Sequence, residues 1–159
     1  LRQGCAEKDY PVPKVLLEPG RSIVANAGLT LYRVGGIKTI EGYRSYVTVN
    51  GGMTDNPRYA LYKAPYTVVP ASRMNDARDL TCTVAGRCCE SGDLIQENIQ
   101  LPEMQRDDLL AVLTTGAYNF TMASNYNRLC RPALVMVRNG KARLAVRRQT
   151  FADLVACDL

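Results

Sequence analysis

The sequence predicts a mainly β fold: an antiparallel β-barrel or sandwich, preceded by the last strand–helix unit of an α/β (TIM-type) barrel and closed by a short C-terminal helix. Three observations carry that prediction. Six short runs between residues 43 and 146 are rich in β-branched and aromatic residues. The order helix, buried strand, loop, helix, which an α/β barrel repeats, occurs once, at the start of the chain. Asn139-Gly140 separates the last two runs and is the dipeptide that a two-residue type I′ hairpin demands.

In order along the chain, residues 1–8 read as the end of a helix. Lys14-Val-Leu-Leu17, after Tyr-Pro-Val-Pro, is a short apolar run that reads as a buried strand. Glu18-Pro-Gly-Arg21 follows as a loop, and a helix starts near Ser22, a residue suited to a cap. We assign residues 1–30 to the barrel unit and 31–159 to the β-domain. Strands are expected at Tyr43–Val49, Tyr66–Val69, Leu80–Val84, Leu109–Leu113, Ala133–Val137 and Ala142–Val146. Thr150 and Asp153 have capping-box spacing before Leu-Val-Ala, with Asp in place of the usual Glu.

Composition narrows the chemistry. Apolar residues are 47% and charged residues 22% of 159, ordinary values for a globular domain with a core. No run of about 18 apolar residues indicates a membrane helix. Neither an apolar leader nor an initiating Met opens the chain, so we expect it to begin inside a longer reading frame. The net charge of +5 is scattered; Arg143, Arg147 and Arg148 alternate as on a solvated strand, without the stacking aromatics that nucleic-acid binding needs. Six cysteines, two of them adjacent, with no secretory leader, favour free thiols in a cytoplasm. The absence of histidine removes Cys/His zinc sites, imidazole acid–base chemistry and the common nucleophilic triads, and no metal is expected.

Four segments carry chemistry. Glu18-Pro19-Gly20-Arg21 lies at the end of a predicted buried strand, where barrel enzymes build their sites; Gly20 allows close approach of a phosphate and Arg21 pairs with one. Asn50-Gly51-Gly52-Met53 leads to Arg58, suited to a carboxylate, with Tyr62 one helical turn further on. Cys88-Cys89-Glu90-Ser91-Gly92-Asp93 puts two thiols and a carboxylate into one small-residue turn. Gly116–Asn127, rich in hydroxyls and amides, places Tyr118 just past a strand. Taken singly, each segment is also compatible with an ordinary turn or polar loop.

As an ordered set they resemble the C-terminal part of the diaminopimelate decarboxylase family, pyridoxal-phosphate enzymes of lysine synthesis that share a fold type with alanine racemase and eukaryotic ornithine decarboxylase. The Cys-Glu-Ser-Gly-Asp run is the most specific marker, since ornithine decarboxylases carry Cys-Asp-Gly there. Gly-Gly-Met and the following Arg58-x-Ala-Leu-Tyr62 point the same way. The resemblance implies that Glu18 faces the pyridine nitrogen of pyridoxal 5′-phosphate. It implies that Gly20, Arg21 and Tyr118 lie at the cofactor and that Arg21, Arg58, Tyr62, Glu90 and Tyr118 bind substrate. It further implies a homodimer in which Cys89 and Glu90 reach into the partner's site, Glu90 to attract the substrate amino group and Cys89 to line the point of reprotonation. The reaction implied is loss of CO2 from meso-diaminopimelate to give L-lysine.

Asn50 stands where many relatives have Asp, and Tyr59 where many have Pro; neither is a residue assigned to substrate. The cofactor lysine, stacking histidine and glycine-rich phosphate loop of the family belong to a preceding barrel, and Lys8 and Lys14 are in the wrong context to replace that lysine. The isolated chain is therefore expected to be inactive and to expose apolar surface where the barrel packs. A related ornithine, arginine or polyamine decarboxylase, or a non-catalytic β-domain that keeps the dimer surface, are the alternative readings.

Overall fold

The structure, a computed structural model, describes residues 1–159. Eight strands form two sheets. The larger has the order β3-β6-β1-β2-β4-β5, and β7-β8 form a separate hairpin. The strands are β1 (Leu29–Ile40), β2 (Arg44–Val49), β3 (Val68–Pro70), β4 (Leu80–Ala85), β5 (Leu94–Leu101), β6 (Leu109–Leu113), β7 (Leu134–Arg138) and β8 (Lys141–Val146). Five short helices accompany them: α1 (Arg2–Glu7), α2 (Arg21–Val24), α3 (Arg58–Tyr62), α4 (Asn119–Met122) and α5 (Phe151–Leu154).

β1 is the strand around which the sheet curls. Its first half pairs with β6 (Leu29 opposite Leu113 to Arg33 opposite Leu109) and its second half with β2 (Val34 opposite Val49 to Ile40 opposite Arg44). The two halves meet at a bulge beside Gly35, where the ladder shifts between Val34 and Gly36. A bulge adds twist and bends the strand, which turns an open sheet toward a barrel. All ladders are antiparallel except β2–β4, which is parallel. A parallel pair needs a long crossover, and residues 50–79 supply it while carrying α3 and β3. Tyr32, Val34, Val47, Val84, Ile95, Leu110 and Val112 belong to the core cluster enclosed by the sheet.

β1 and β5 are absent from the expected strands, each for a visible reason. β1 has Leu29 and Leu31 on its outer face, both more than half exposed, so no apolar–polar alternation marks it, and Gly35-Gly36 interrupts it. β5 reads Leu-Ile-Gln-Glu-Asn-Ile-Gln-Leu; its polar side chains are used structurally, with Gln96 Oε1 accepting from the Tyr66 amide at 2.8 Å and Glu97 bonding to Arg44. The Asn139-Gly140 hairpin forms with both residues at positive φ (51° and 71°), as a type I′ turn requires. Thr150 and Asp153 form the expected capping box, and Arg147 grips Asp153 with two bonds of 2.6 and 2.7 Å. That guanidinium, with the Thr150 amide and hydroxyl, holds the Asp153 carboxyl well below the usual carboxylate range.

Two local expectations need correction. Lys14–Leu17 is not a buried strand: it belongs to no sheet, and Leu16 and Leu17 are 79% and 82% exposed. A strand is closed by inter-strand hydrogen bonds, and no neighbouring strand lies beside this segment. Ser22 does not cap α2 either; Gly20 occupies that position and no side chain bonds the helix start. The apolar surface expected to be open is present, at Val15–Leu17 and on the β7–β8 hairpin, where Val135, Met136, Val137 and Leu144 are exposed. No helix is long and apolar enough to cross a membrane.

Candidate active-site surface

The segment Gly116–Asn127 meets the other three chemistry-bearing segments. Tyr118 has φ 70° and ψ −15°, a left-handed backbone that costs a non-glycine residue energy and recurs at functional sites. This conformation lays its ring across the first segment. A Cβ on Gly20 would collide with the Tyr118 hydroxyl, so only glycine admits the ring there. Arg21 stacks on the same ring, its guanidinium carbon 5.7 Å from the centroid. Gly20, Arg21, Ser22, Ala25, Asn26 and Thr114 line an adjoining cleft of about 510 Å³.

Arg58 approaches Tyr118 from the second segment, at 5.5 Å from the ring centroid, and lies 5.1 Å from the Tyr62 ring one helical turn on. Two guanidinium groups thus share one tyrosine ring, and neither forms an ion pair. Arg21 Nη2 and Arg58 Nε are buried without an acceptor. Buried donors carry a desolvation cost unless bonded. A pair of cations left with open donors is suited to an oxyanion such as a phosphate or carboxylate. These open donors and the Gly20 surface fit the phosphorylated, carboxylate-bearing ligands of a pyridoxal enzyme.

Tyr59 anchors α3. It is buried, and its hydroxyl donates to Glu97 Oε2 at 2.5 Å; Glu97 also takes Arg44 at 2.8 Å. The Tyr59 hydroxyl and then Arg44 hold the Glu97 carboxyl below its ordinary value, while burial and Glu97 push Tyr59 up to about 12. A carboxyl whose folded value is depressed stabilises the fold above its unfolded pKa of about 4.3, and loses that contribution as pH falls through the folded value. Glu97→Gln is therefore expected to melt below the parent at pH 7, with the gap closing as the pH drops toward 3. Thermal melts across that range measure it; a gap independent of pH would contradict the assignment.

A buried amide pair links α4 to the loop before α3. Asn119 Nδ2 donates to Asn56 Oδ1 at 2.6 Å and Asn119 Oδ1 accepts from the Tyr66 hydroxyl at 3.2 Å. The Ser124 amide donates to the Thr54 carbonyl at 2.8 Å. These bonds fix Arg58 and Tyr118 relative to each other. Within the loop, Asp55 accepts from the Gly52 amide at 3.0 Å and from the buried Tyr32 hydroxyl. Burial raises the Asp55 carboxyl against those bonds, and burial followed by Asp55 raises Tyr32 well above a free phenol.

The third segment is separated by role. Cys88 is buried; its Sγ lies 3.9 Å from Thr54 Oγ1, and burial followed by the neighbouring Asp93 pushes its thiol up. Cys89 is exposed on a left-handed backbone with φ 49°. Glu90 is exposed and accepts from the Tyr126 hydroxyl at 3.3 Å, and its carboxylate raises that phenol. No hydrogen bond or ion pair joins Cys89 or Glu90 to the Arg21–Arg58–Tyr118 cluster. Glu18 is exposed and unpaired. The structure thus gathers Gly20, Arg21, Arg58, Tyr62 and Tyr118, and leaves Cys89, Glu90 and Glu18 facing outward. Sequence reasoning gave no role to Asn56, Tyr59, Asp93, Asn119 or Tyr126. Asn56, Asp93, Asn119 and Tyr126 lay inside runs already singled out, but the Asn56–Asn119 pairing itself, across 63 residues, left no local signal.

The curled six-stranded sheet has the fold of the C-terminal sheet domain of pyridoxal-dependent decarboxylases. Residues 21–116 match the model of the pyridoxal-dependent decarboxylase C-terminal sheet domain, and the chain belongs to that family. Among its relatives, the diaminopimelate decarboxylase of Bacillus subtilis is 50% identical over 100% of this chain and 36% of its own length. That of Synechocystis is 49% identical over 99% and 34%. The chain spans about a third of the length of these curated relatives. A crystal structure of the M. jannaschii diaminopimelate decarboxylase in complex with L-lysine superposes with a TM-score of 0.83 at 34% identity, over 99% of this chain and 36% of that one. The lysine/ornithine decarboxylase of Vibrio vulnificus, solved with cadaverine, reaches 0.63 at 30% identity over 74% of this chain and 32% of its own.

Proposed function

We propose that this chain is the C-terminal part of a diaminopimelate decarboxylase, which removes CO2 from meso-2,6-diaminopimelate to give L-lysine, with pyridoxal 5′-phosphate as cofactor. The observation that carries the reading is the Arg21–Tyr118–Arg58 stack, whose two cations have open donors and no carboxylate of the chain's own. Arg21 and Tyr118 hold the cofactor side of the site over Gly20. Arg58, steadied by the Tyr62 ring, takes a substrate carboxylate. Glu18, exposed and unpaired, faces the ring nitrogen and favours its protonated form. The bound cofactor supplies the electron sink for the pair left when CO2 departs. Cys89 and Glu90 are exposed and have no bond to this cluster, which suits a homodimer in which each chain lends them to the other's site. There Glu90 attracts an ammonium group, and the Cys89 thiol returns the proton to carbon and is reprotonated from solvent.

The test is a graft. The matching segment of the Bacillus subtilis enzyme, half of whose residues are already identical, is replaced by this chain. Release of CO2 is then measured with meso-diaminopimelate, ornithine and arginine. Turnover of diaminopimelate well above the other two is expected. Preference for ornithine would replace the substrate assignment, and a folded graft with bound cofactor and no turnover of any of the three would overturn the catalytic reading.

A further inference from the structure

Asp93 closes the Cys88–Asp93 run, yet it pairs with no cation: the residue is only 3% exposed and forms no ion pair. Instead its two oxygens each take one backbone donor from a different segment. Met53 N–H donates to Oδ1 at 2.6 Å, and Cys88 N–H donates to Oδ2 at 2.6 Å. Asp93 is also fixed through its backbone, its amide donating to the Glu90 carbonyl at 2.9 Å and its carbonyl accepting from Gly86 at 2.8 Å. Gly52 and Gly86 flank the carboxylate so closely that a Cβ on either would collide with it. A third tie joins the same two segments, Arg87 N–H to the Gly51 carbonyl at 3.1 Å.

We infer that Asp93 is a positioning residue that sets two loops of the reaction surface with one carboxylate: the Gly51-Gly52-Met53 loop that leads into Arg58, and the turn that holds Cys89 and Glu90 outward. Bonds from N–H groups to a buried carboxylate are among the stronger neutral-to-charged hydrogen bonds. The left-handed φ of Cys89 needs such an outside restraint. Where Arg58 serves the chain's own site and Cys89-Glu90 the partner's, this bracket ties together the two halves that one chain contributes to two sites. The kinetic part of the inference rests on the decarboxylase reading; the structural part does not.

Both are tested in the grafted enzyme with Asp93→Asn and Asp93→Glu. Asn keeps the shape but turns an NH2 group toward one of the two amides. Glu keeps the charge but adds a methylene between Gly52 and Gly86. Each is expected to lower kcat by about tenfold or more, with cofactor affinity changed less, because Gly20 and Arg21 have no bond to Asp93 or to the two loops it joins. Parental kinetics in Asp93→Glu would reduce the role to charge and overturn the bracket. So would two variants that lose only melting temperature and keep parental kcat and KM. Hydrogen exchange of the parent graft, read over residues 52–56 and 86–90, decides the case even where the variants fail to fold. Slow exchange of the Met53 and Cys88 amides is expected, and exchange as fast as an open loop sinks the inference. An inactive parent graft with those amides protected would fail the decarboxylase reading while leaving the bracket standing.

Discussion

Arg58→Met in the grafted enzyme is expected to lower kcat/KM for meso-diaminopimelate by about a hundredfold. Methionine keeps an unbranched stem and removes the planar cation that lies over the Tyr62 and Tyr118 rings. Arg58 makes no ion pair within the chain, and its Nε is buried with no acceptor. Its contacts are the Tyr62 and Tyr118 rings and a 4.0 Å approach of Nη1 to Met122 Sδ, a weak acceptor. The guanidinium therefore gives up about 0.5–1 kcal/mol per half-exposed ring contact in stability, and the larger effect of its removal is felt in ligand binding. A charge-assisted bond is worth about 1.5–3 kcal/mol, and a forked pair approaches the upper figure, which converts to roughly two orders of magnitude. Arg58→Lys restores the charge without the fork and is expected to recover part of the loss. Melting temperature should fall by no more than a few degrees in Arg58→Met and less in Arg58→Lys, which keeps a cation near the rings. A change in kcat/KM of less than about threefold would remove Arg58 from the substrate carboxylate.

How much of this was legible in the residues follows from where each signal is stored. β2, β4 and β6 were readable because β2 alternates toward its end, and because β4 and β6 are short runs with three consecutive buried residues, the mark of a strand covered on both faces. So were the hairpin at Asn139-Gly140 and the cap at Thr150, since both are set by bonds within a few residues. β1 was not, because its outer face carries leucines as well, and β5 was not, because Gln96 and Glu97 serve partners more than 25 residues away. The same division runs through the site. Arg21, Arg58 and Tyr118 sat in motifs whose residue types suggest anion binding. The residues that hold them, Asn56 with Asn119 and Tyr59 with Glu97, are defined only by pairings across 63 and 38 residues. Lys14–Leu17 marks the opposite limit: its apolar run was visible, but a strand is a property of two segments, and no strand of this structure pairs with it.

Mixing two inactive variants is expected to restore activity. Arg58→Met and Glu90→Gln, each made in the full grafted enzyme, should separately lose most turnover. Arg58 belongs with Arg21 and Tyr118, whereas Glu90 is bonded to Tyr126, with no link to that cluster. If Glu90 serves the partner's site, a mixed dimer collects both defects at one site and leaves the other intact. Mixed dimers isolated by two different affinity tags should then show about half the parental kcat per dimer, with parental KM, since one of two equivalent sites is whole. If Arg58 and Glu90 serve the same site within one chain, each site of the mixed dimer keeps one defect and activity stays at the level of the single variants. Reversing the pairing provides the control: Arg58→Met mixed with Arg21→Met places both defects on the same cluster, one in each chain, and no mixed dimer should recover. Recovery in the first pairing and none in the second is the pattern that only a shared site produces.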